Sequence, residues 1–226
     1  MRLVLIRHGQ TQANVEGALD TAHPGMPLNE TGLAQALAIP EKWERLIGNS
    51  PKRVVASFIE RAKQTAAPLA QHFGLEVEEN EDLREIVAGD IEMSTKVADQ
   101  EDYLLRVVDW CAGIRLDNPM PNSEDGYAVL ARFDRGIAWA CEGLEDDDTV
   151  AVVAHGAIMR VWAAQRSPEL SADLVGQHPS PNTALTLLEG SPETGWSCSL
   201  WADRAINEWE VIPGGAPITS NHVLEN

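Results

Sequence analysis

The sequence predicts a three-layer α/β/α fold with a mainly parallel central sheet, and three observations point to it. Short β-branched-rich runs recur at Arg2 to Arg7, Arg53 to Ser57 and Thr149 to His155; each ends in polar residues; and a stretch of helical periodicity follows each within a few positions. Strands that alternate with helices in this way pack as a largely parallel sheet covered on both faces.

Taken in order, the first strand is followed by Asn29-Glu30-Thr31-Gly32, which reads as a helix start ahead of Leu33, Ala36, Leu37, Trp43 and Leu46. Pro40 interrupts that pattern and predicts a kink or a break, because its ring clashes with the preceding turn and it lacks an N–H. Glu60 to Phe73 is a cleaner helix after the second strand. Tyr103 to Cys111, Tyr127 to Leu144 and Ala157 to Gln165 carry apolar residues at three-to-four spacing. Leu185 to Leu188 and Cys198 to Trp201 read as late strands, with a turn at Gly190-Ser191-Pro192 between them. The acidic runs Glu76 to Glu85 and Glu142 to Asp148 read as solvated surface. We expect one domain over residues 1–226, with 76–145 as an acidic, helical insertion that covers the site and 203–226 as a C-terminal tail.

The charge balance excludes several function classes. With 17 Lys+Arg against 35 Asp+Glu the formal net charge is −18, a mean field that repels nucleic acid and anionic membranes. An anionic ligand needs a locally basic pocket. No apolar run approaches the roughly 20 residues of a membrane span, and Leu3-Val4-Leu5-Ile6 is too short for the core of a secretion signal. Cys111, Cys141 and Cys198 are odd in number and scattered, which indicates neither a disulfide framework nor a zinc site and fits a reducing cytoplasm. No two histidines stand three or four residues apart, so a histidine-built metal centre is not expected. His23, His72, His178 and His222 read as loop or surface residues, and most of the seven tryptophans as core.

Ligands of parallel sheets bind beyond the carboxyl ends of the strands. Those ends carry Arg7-His8-Gly9, Ser57 with Arg61, and His155-Gly156. Arg7 offers a planar fork for two phosphate oxygens, Gly9 lets backbone approach a ligand, and Asn14 can donate to a third oxygen. A neutral imidazole at His8 is a competent nucleophile toward phosphorus, and neighbouring cations lower its pKa.

Arg7, His8, Gly9, Thr11 and Asn14 together resemble the opening signature of the histidine phosphatase superfamily, the phosphoglycerate-mutase-like family. Ser57, Arg61, Ala62, Gln64, Thr65 and Ala66 are similar in register to its second signature, which implies that Arg61 is a second phosphate clamp. The resemblance further implies that His155, followed by Gly156, is a second catalytic histidine that donates to the transferring oxygens. It also implies that Glu85, in Leu83 to Glu92, is the general acid, with Glu92 the less favoured substitute. The likeness runs from Leu3 to about Trp201. The match is weaker from Asn122 to Arg132, where Asn122-Ser123 stands in place of the two glycines the family often has before Glu124, and Ile91-Glu92-Met93 stands where the family commonly has Trp-Glu-Gly, which alters the local wall of the substrate pocket.

What the resemblance implies is a phosphoglycerate-mutase-like fold and a metal-independent phosphomonoester hydrolase. It works through phosphohistidine on a small phosphorylated metabolite and needs no cofactor. A cofactor-dependent phosphoglycerate mutase is the alternative, less favoured because the longer segment that mutases insert around the acid is missing between Leu83 and Asp102. A non-catalytic phosphate-binding module ranks lower, because Arg7, His8, Arg61, Glu85 and His155 are all present. A homodimer is compatible with the fold.

Overall fold

The computed structural model describes residues 1–217; the end of the expected tail, with His222, lies outside the described residues. Seven strands form one sheet: β1 Arg2–Arg7, β2 Arg53–Ser57, β3 Val77–Asn80, β4 Thr149–Ala154, β5 Leu185–Ser191, β6 Gly195–Trp201 and β7 Arg204–Ala205. Their spatial order is β3-β2-β4-β1-β5-β6-β7. The first three pairings are parallel, and β1 with β5, β5 with β6 and β6 with β7 are antiparallel. The sheet is therefore mixed, which corrects the expectation of a mainly parallel one. The apolar run of β5 is buried in the same way as that of a parallel strand, so composition carries no sign of its direction.

Side chains alternate across the pleat and feed two separate cores. Leu3, Leu5, Val55, Val150 and Val152 face a layer built on Trp110, Phe133 and Trp162, whereas Val4, Ile6, Val54, Ala56, Ala151 and Val153 face one built on Ile39, Trp43 and Leu69. The helices are α1 Gln12–Glu16, α2 Glu30–Leu37, α3 Ile39–Leu46, α4 Glu60–Phe73, α5 Val97–Cys111, α6 Gly126–Cys141, α7 Gly156–Arg166 and α8 Ala172–Gln177. Asn29 caps α2 by accepting from Gly32 N, as its position ahead of the apolar run suggests. The break expected from Pro40 falls at Ala38, which places the proline in the first turn of α3, where its missing N–H costs nothing.

The register sets the site. Arg7 pairs with Ala154 on the neighbouring parallel strand, and His8 N donates to Ala154 O at 3.0 Å. The residues that follow, His8 and His155, consequently leave the sheet side by side. β2 flanks β4 on its other side and delivers Ser57 to the same edge, and α4 then carries Arg61 back over it. β7, with its pairing to β6, falls within the stretch read as tail.

Candidate active site

Arg7, His8, Asn14, Arg61, Glu85 and Gly156 border one cavity of about 70 Å³ at this edge. His155 is fully buried and stands behind it, its ring centroid 5.2 Å from that of His8.

The two ring nitrogens of His8 have distinct partners. Nδ1 lies 2.7 Å from Gly9 O, and Nε2 receives a 3.2 Å hydrogen bond from Nε of Arg61. A carbonyl oxygen only accepts and a guanidinium only donates, so Nδ1 carries the proton and Nε2 keeps its lone pair. Burial, then Arg61 and Arg7, push the imidazole well below the ordinary histidine pKa, which matches this neutral tautomer. Gly9 is needed at a different contact from the one expected: a Cβ there would lie 2.8 Å from Gly32 O, so the glycine lets the loop pack on the start of α2.

Arg61 is 2% exposed, and Asp20 holds it through Nη1 to Oδ2 at 3.3 Å and Nη2 to the backbone oxygen at 3.0 Å. Thr65 accepts from Gly9 N at 2.9 Å and donates to Arg61 O at 2.6 Å, tying the His8 loop to α4. Arg7 donates to Ser180 O at 2.7 Å, while its Nε is buried without a partner. Burial, and next the nearby Arg160, lower its pKa to about 10. Gly156 leaves room for it, since a Cβ would sit 3.2 Å from Arg7 Nε. Asn14 Oδ1 accepts from Thr11 N at 3.1 Å within the cap of α1, which leaves its amide NH2 as the donor toward the cavity.

Glu85 accepts three backbone hydrogen bonds: Ile86 N and Ile158 N to Oε1, both at 2.8 Å, and Ala157 N to Oε2 at 3.0 Å. Two of these come from the first turn of α7, whose N–H groups have no partner within the helix and whose dipole favours negative charge there. Arg132 fixes the approach by donating to the carbonyls of Asp82, Arg84 and Glu85 while Glu124 accepts from its Nε. The weakly matched stretch from Asn122 to Arg132 thus serves to hold the Glu85 loop. Glu92 lies outside the cavity wall; its carboxylate accepts from Thr21 N, Ala22 N and Thr21 Oγ1 and pins the loop that carries Asp20.

His155 Nε2 lies 2.8 Å from Ser57 Oγ, and its Nδ1 is buried without a partner. Burial and then Arg61 hold this imidazole well below the ordinary value as well. His23 stacks on Phe58, His72 pairs with Glu44, and His178 packs on Trp209, all away from the cavity. Asp20, Thr21, Tyr103, Leu104 and Arg160 border the cavity without having been read from the sequence. One signal pointed to Arg160: it lies four residues after Gly156, hence on the same face of the helix.

A family model for the histidine phosphatase superfamily (branch 1) matches residues 3–204. A PE-PGRS family protein of Mycobacterium tuberculosis is 30% identical over 215 residues, which are 87% of this chain and 35% of that protein, so the chain spans about a third of its length. The adenosylcobalamin/alpha-ribazole phosphatase of Salmonella typhimurium is 30% identical over 172 residues, 73% of this chain and 79% of that one. Among solved structures, a mycobacterial glucosyl-3-phosphoglycerate phosphatase in complex with VO3 superposes with a TM-score of 0.73 at 27% identity, covering 89% of this chain and 98% of that one.

Proposed function

Since this chain belongs to branch 1 of the histidine phosphatase superfamily, we propose that it hydrolyses a small phosphomonoester through a phosphohistidine at His8. The observation that carries the reading is the tautomer of His8, whose Nε2 keeps its lone pair beside a cavity lined by three arginines, Arg7, Arg61 and Arg160. In this scheme Arg7, Arg61 and the Asn14 amide hold the phosphoryl oxygens, and Nε2 attacks phosphorus in line with the ester oxygen. The P–O bond breaks as the P–N bond forms, and Glu85 gives its proton to the leaving alkoxide. That role requires Glu85 to hold a transferable proton when the ester is bound. Water then attacks phosphorus, Glu85 takes its proton, and phosphate leaves His8.

His155 has one hydrogen-bonding atom without a partner, Nδ1, and we assign that atom to a phosphoryl oxygen once the substrate is seated against His8. Its contribution is a neutral donor where charge is redistributed in the transition state. Positive charge from Arg7 and Arg61 supports a reaction that needs no metal ion. The phosphatases among the relatives support water, rather than a second substrate hydroxyl, as the acceptor. A formal charge of −18 favours a small ester over nucleic acid, and three free, buried cysteines fit a cytoplasmic setting.

The test is phosphate release from a panel of sugar phosphates, phosphoglycerates, phosphoserine and nucleotides with a chelator present. The reading expects turnover of at least one small ester that the chelator leaves intact; release from none, or loss of release on chelation, contradicts it.

A further inference from the structure

The segment that joins α8 to β5 runs against the nucleophile loop. β5 stops pairing with β1 at Leu185, opposite Ile6, yet the contact goes on: Arg7 N donates to Ala184 O at 3.2 Å, and Thr183 N donates to Arg7 O at 2.9 Å and to His8 O at 3.4 Å. Asn182 then continues the contact with its side chain. Its Nδ2 lies 2.9 Å from His8 O and 3.4 Å from Asn14 Oδ1. An amide nitrogen carries two N–H groups, so each acceptor has a donor of its own.

Both acceptors belong to residues that the mechanism uses. The His8–Gly9 peptide is pinned at each end, since its carbonyl accepts from Asn182 and its N–H, on Gly9, donates to Thr65 Oγ1 at 2.9 Å. That peptide leads directly to Gly9 O, which accepts from Nδ1 of the His8 ring and so sets where Nε2 points. Asn14 Oδ1 accepts from Thr11 N at 3.1 Å, and with Asn182 it faces two donors. A reversed Asn14 amide would set its NH2 against both of them. The NH2 is thereby kept for the cavity that Asn14 borders.

A strained residue supports this contact. Thr183 has φ = +58°, a left-handed conformation that β-branched residues rarely adopt. Lys42 holds it there, with Nζ donating to Thr183 O at 3.1 Å and pairing with Asp203 at 2.6 Å, and the Thr183 hydroxyl donates to Asn182 O at 2.7 Å. Strain of this kind persists only where the surroundings over-determine it, and here it lies next to the residue that reaches His8 and Asn14.

We propose that Asn182 is a positioning residue for phosphoryl transfer, which holds the nucleophile His8 and the phosphoryl-binding Asn14 in register through the two hydrogens of one amide. It is not among the described residues that border the cavity, so it acts through these two and not on the substrate. The proposal rests on the phosphatase reading for its meaning, and part of its test does not depend on turnover.

The experiment compares the wild type with Asn182→Ala and Asn182→Asp at a temperature where circular dichroism shows each to be folded. Asn182→Ala is expected to lower kcat/KM on the best ester by about tenfold, mainly through kcat, the scale of a small misplacement of reacting groups. Asn182→Asp fills the same space but turns lone pairs toward His8 O and Asn14 Oδ1, and should lose more than Asn182→Ala. If it does not fold, Asn182→Ser, with one donor in place of two, must fall between Asn182→Ala and the wild type. On an Asn14→Ala background the loss from Asn182→Ala should shrink to about threefold or less, because one of its two acceptors is gone. A lower melting temperature with kcat/KM within threefold of the wild type, a loss confined to KM, either companion variant out of its expected order, or the full loss on the Asn14→Ala background overturns the proposal. Should no ester be turned over, the phosphatase reading fails and binding decides: the Kd of orthovanadate, which can bond Nε2 in five-coordinate geometry, must rise about tenfold in Asn182→Ala while that of inorganic phosphate rises less than threefold. Equal effects on the two anions, or no vanadate binding by the wild type, overturn the assignment.

Discussion

Nε of Arg61 donates a 3.2 Å hydrogen bond to Nε2 of His8, so the lone pair that the mechanism uses is covered by the cation that the mechanism needs beside it. The same guanidinium is held by Asp20 through Oδ2 and the backbone oxygen. In the mechanism proposed here, an arriving phosphoryl group takes over these donors and uncovers Nε2 of His8.

Arg61→Lys keeps a positive charge but loses the three-way arrangement toward His8, Asp20 and the ligand. We expect a fall in kcat/KM of about 100-fold, the scale of one lost transition-state donor. Steady-state kinetics on the best ester checks this, and a variant within threefold of the wild type would speak against phosphate clamping by Arg61.

Glu85→Gln removes the transferable proton and keeps most of the shape. For an alkyl ester the chemical step is expected to slow by about 10²- to 10⁴-fold, whereas p-nitrophenyl phosphate, whose leaving group needs no proton, should lose much less. Equal losses for both esters would show that Glu85 does not act as the acid.

Gly156→Ala places a Cβ 3.2 Å from Arg7 Nε and 3.4 Å from its Cζ. Arg7 must shift by a few tenths of an ångström, and on the order of tenfold loss in kcat/KM is expected from the misplaced fork. The melting temperature should not fall, because alanine suits a helix better than glycine. Unchanged kinetics would separate Arg7 from phosphate binding.

Stability carries a pH signature of its own. His8 and His155 are held neutral in the folded chain, with pKa values well below the unfolded value near 6.5. The unfolded chain therefore binds protons that the folded one refuses as the pH falls. Their contribution is complete above pH 6.5 and declines below it, approaching about 1.4 kcal/mol per pH unit for each histidine. Denaturant unfolding at pH 6.5 and 5.5 should differ by about 2 kcal/mol from the pair, and His8→Asn should remove about half of that. A loss unaffected by His8→Asn would contradict a neutral, buried His8.

Much of this site is legible in the sequence because its residues sit at strand ends, and strand ends are marked by apolar runs that stop. Arg7, His8, Ser57 and His155 are found that way, and α4 has the bounds that its periodicity predicts. Other features leave no such mark. β3 is a half-exposed edge strand with two glutamates, indistinguishable from the solvated acidic run in which it lies. The direction of β5 depends on the chain's path outside the strand, which its buried residues do not encode. Asp20 comes to Arg61 from a loop, and the clamp of Arg132 on the Glu85 loop joins residues about fifty positions apart, contacts that only the fold creates. Glu92 illustrates the limit in the other direction, as a plausible acid whose oxygens are committed to Thr21 and Ala22.

The central claim is that Nε2 of His8 becomes covalently phosphorylated. Incubation with a ³²P-labelled phosphomonoester followed by an alkaline quench, in which phosphohistidine survives, tests it directly. The account predicts acid-labile label on the peptide that contains His8 and none on His8→Ala, which should also lose turnover. Wild-type protein that hydrolyses the ester without ever carrying label, or His8→Ala that turns over at the wild-type rate, would contradict it.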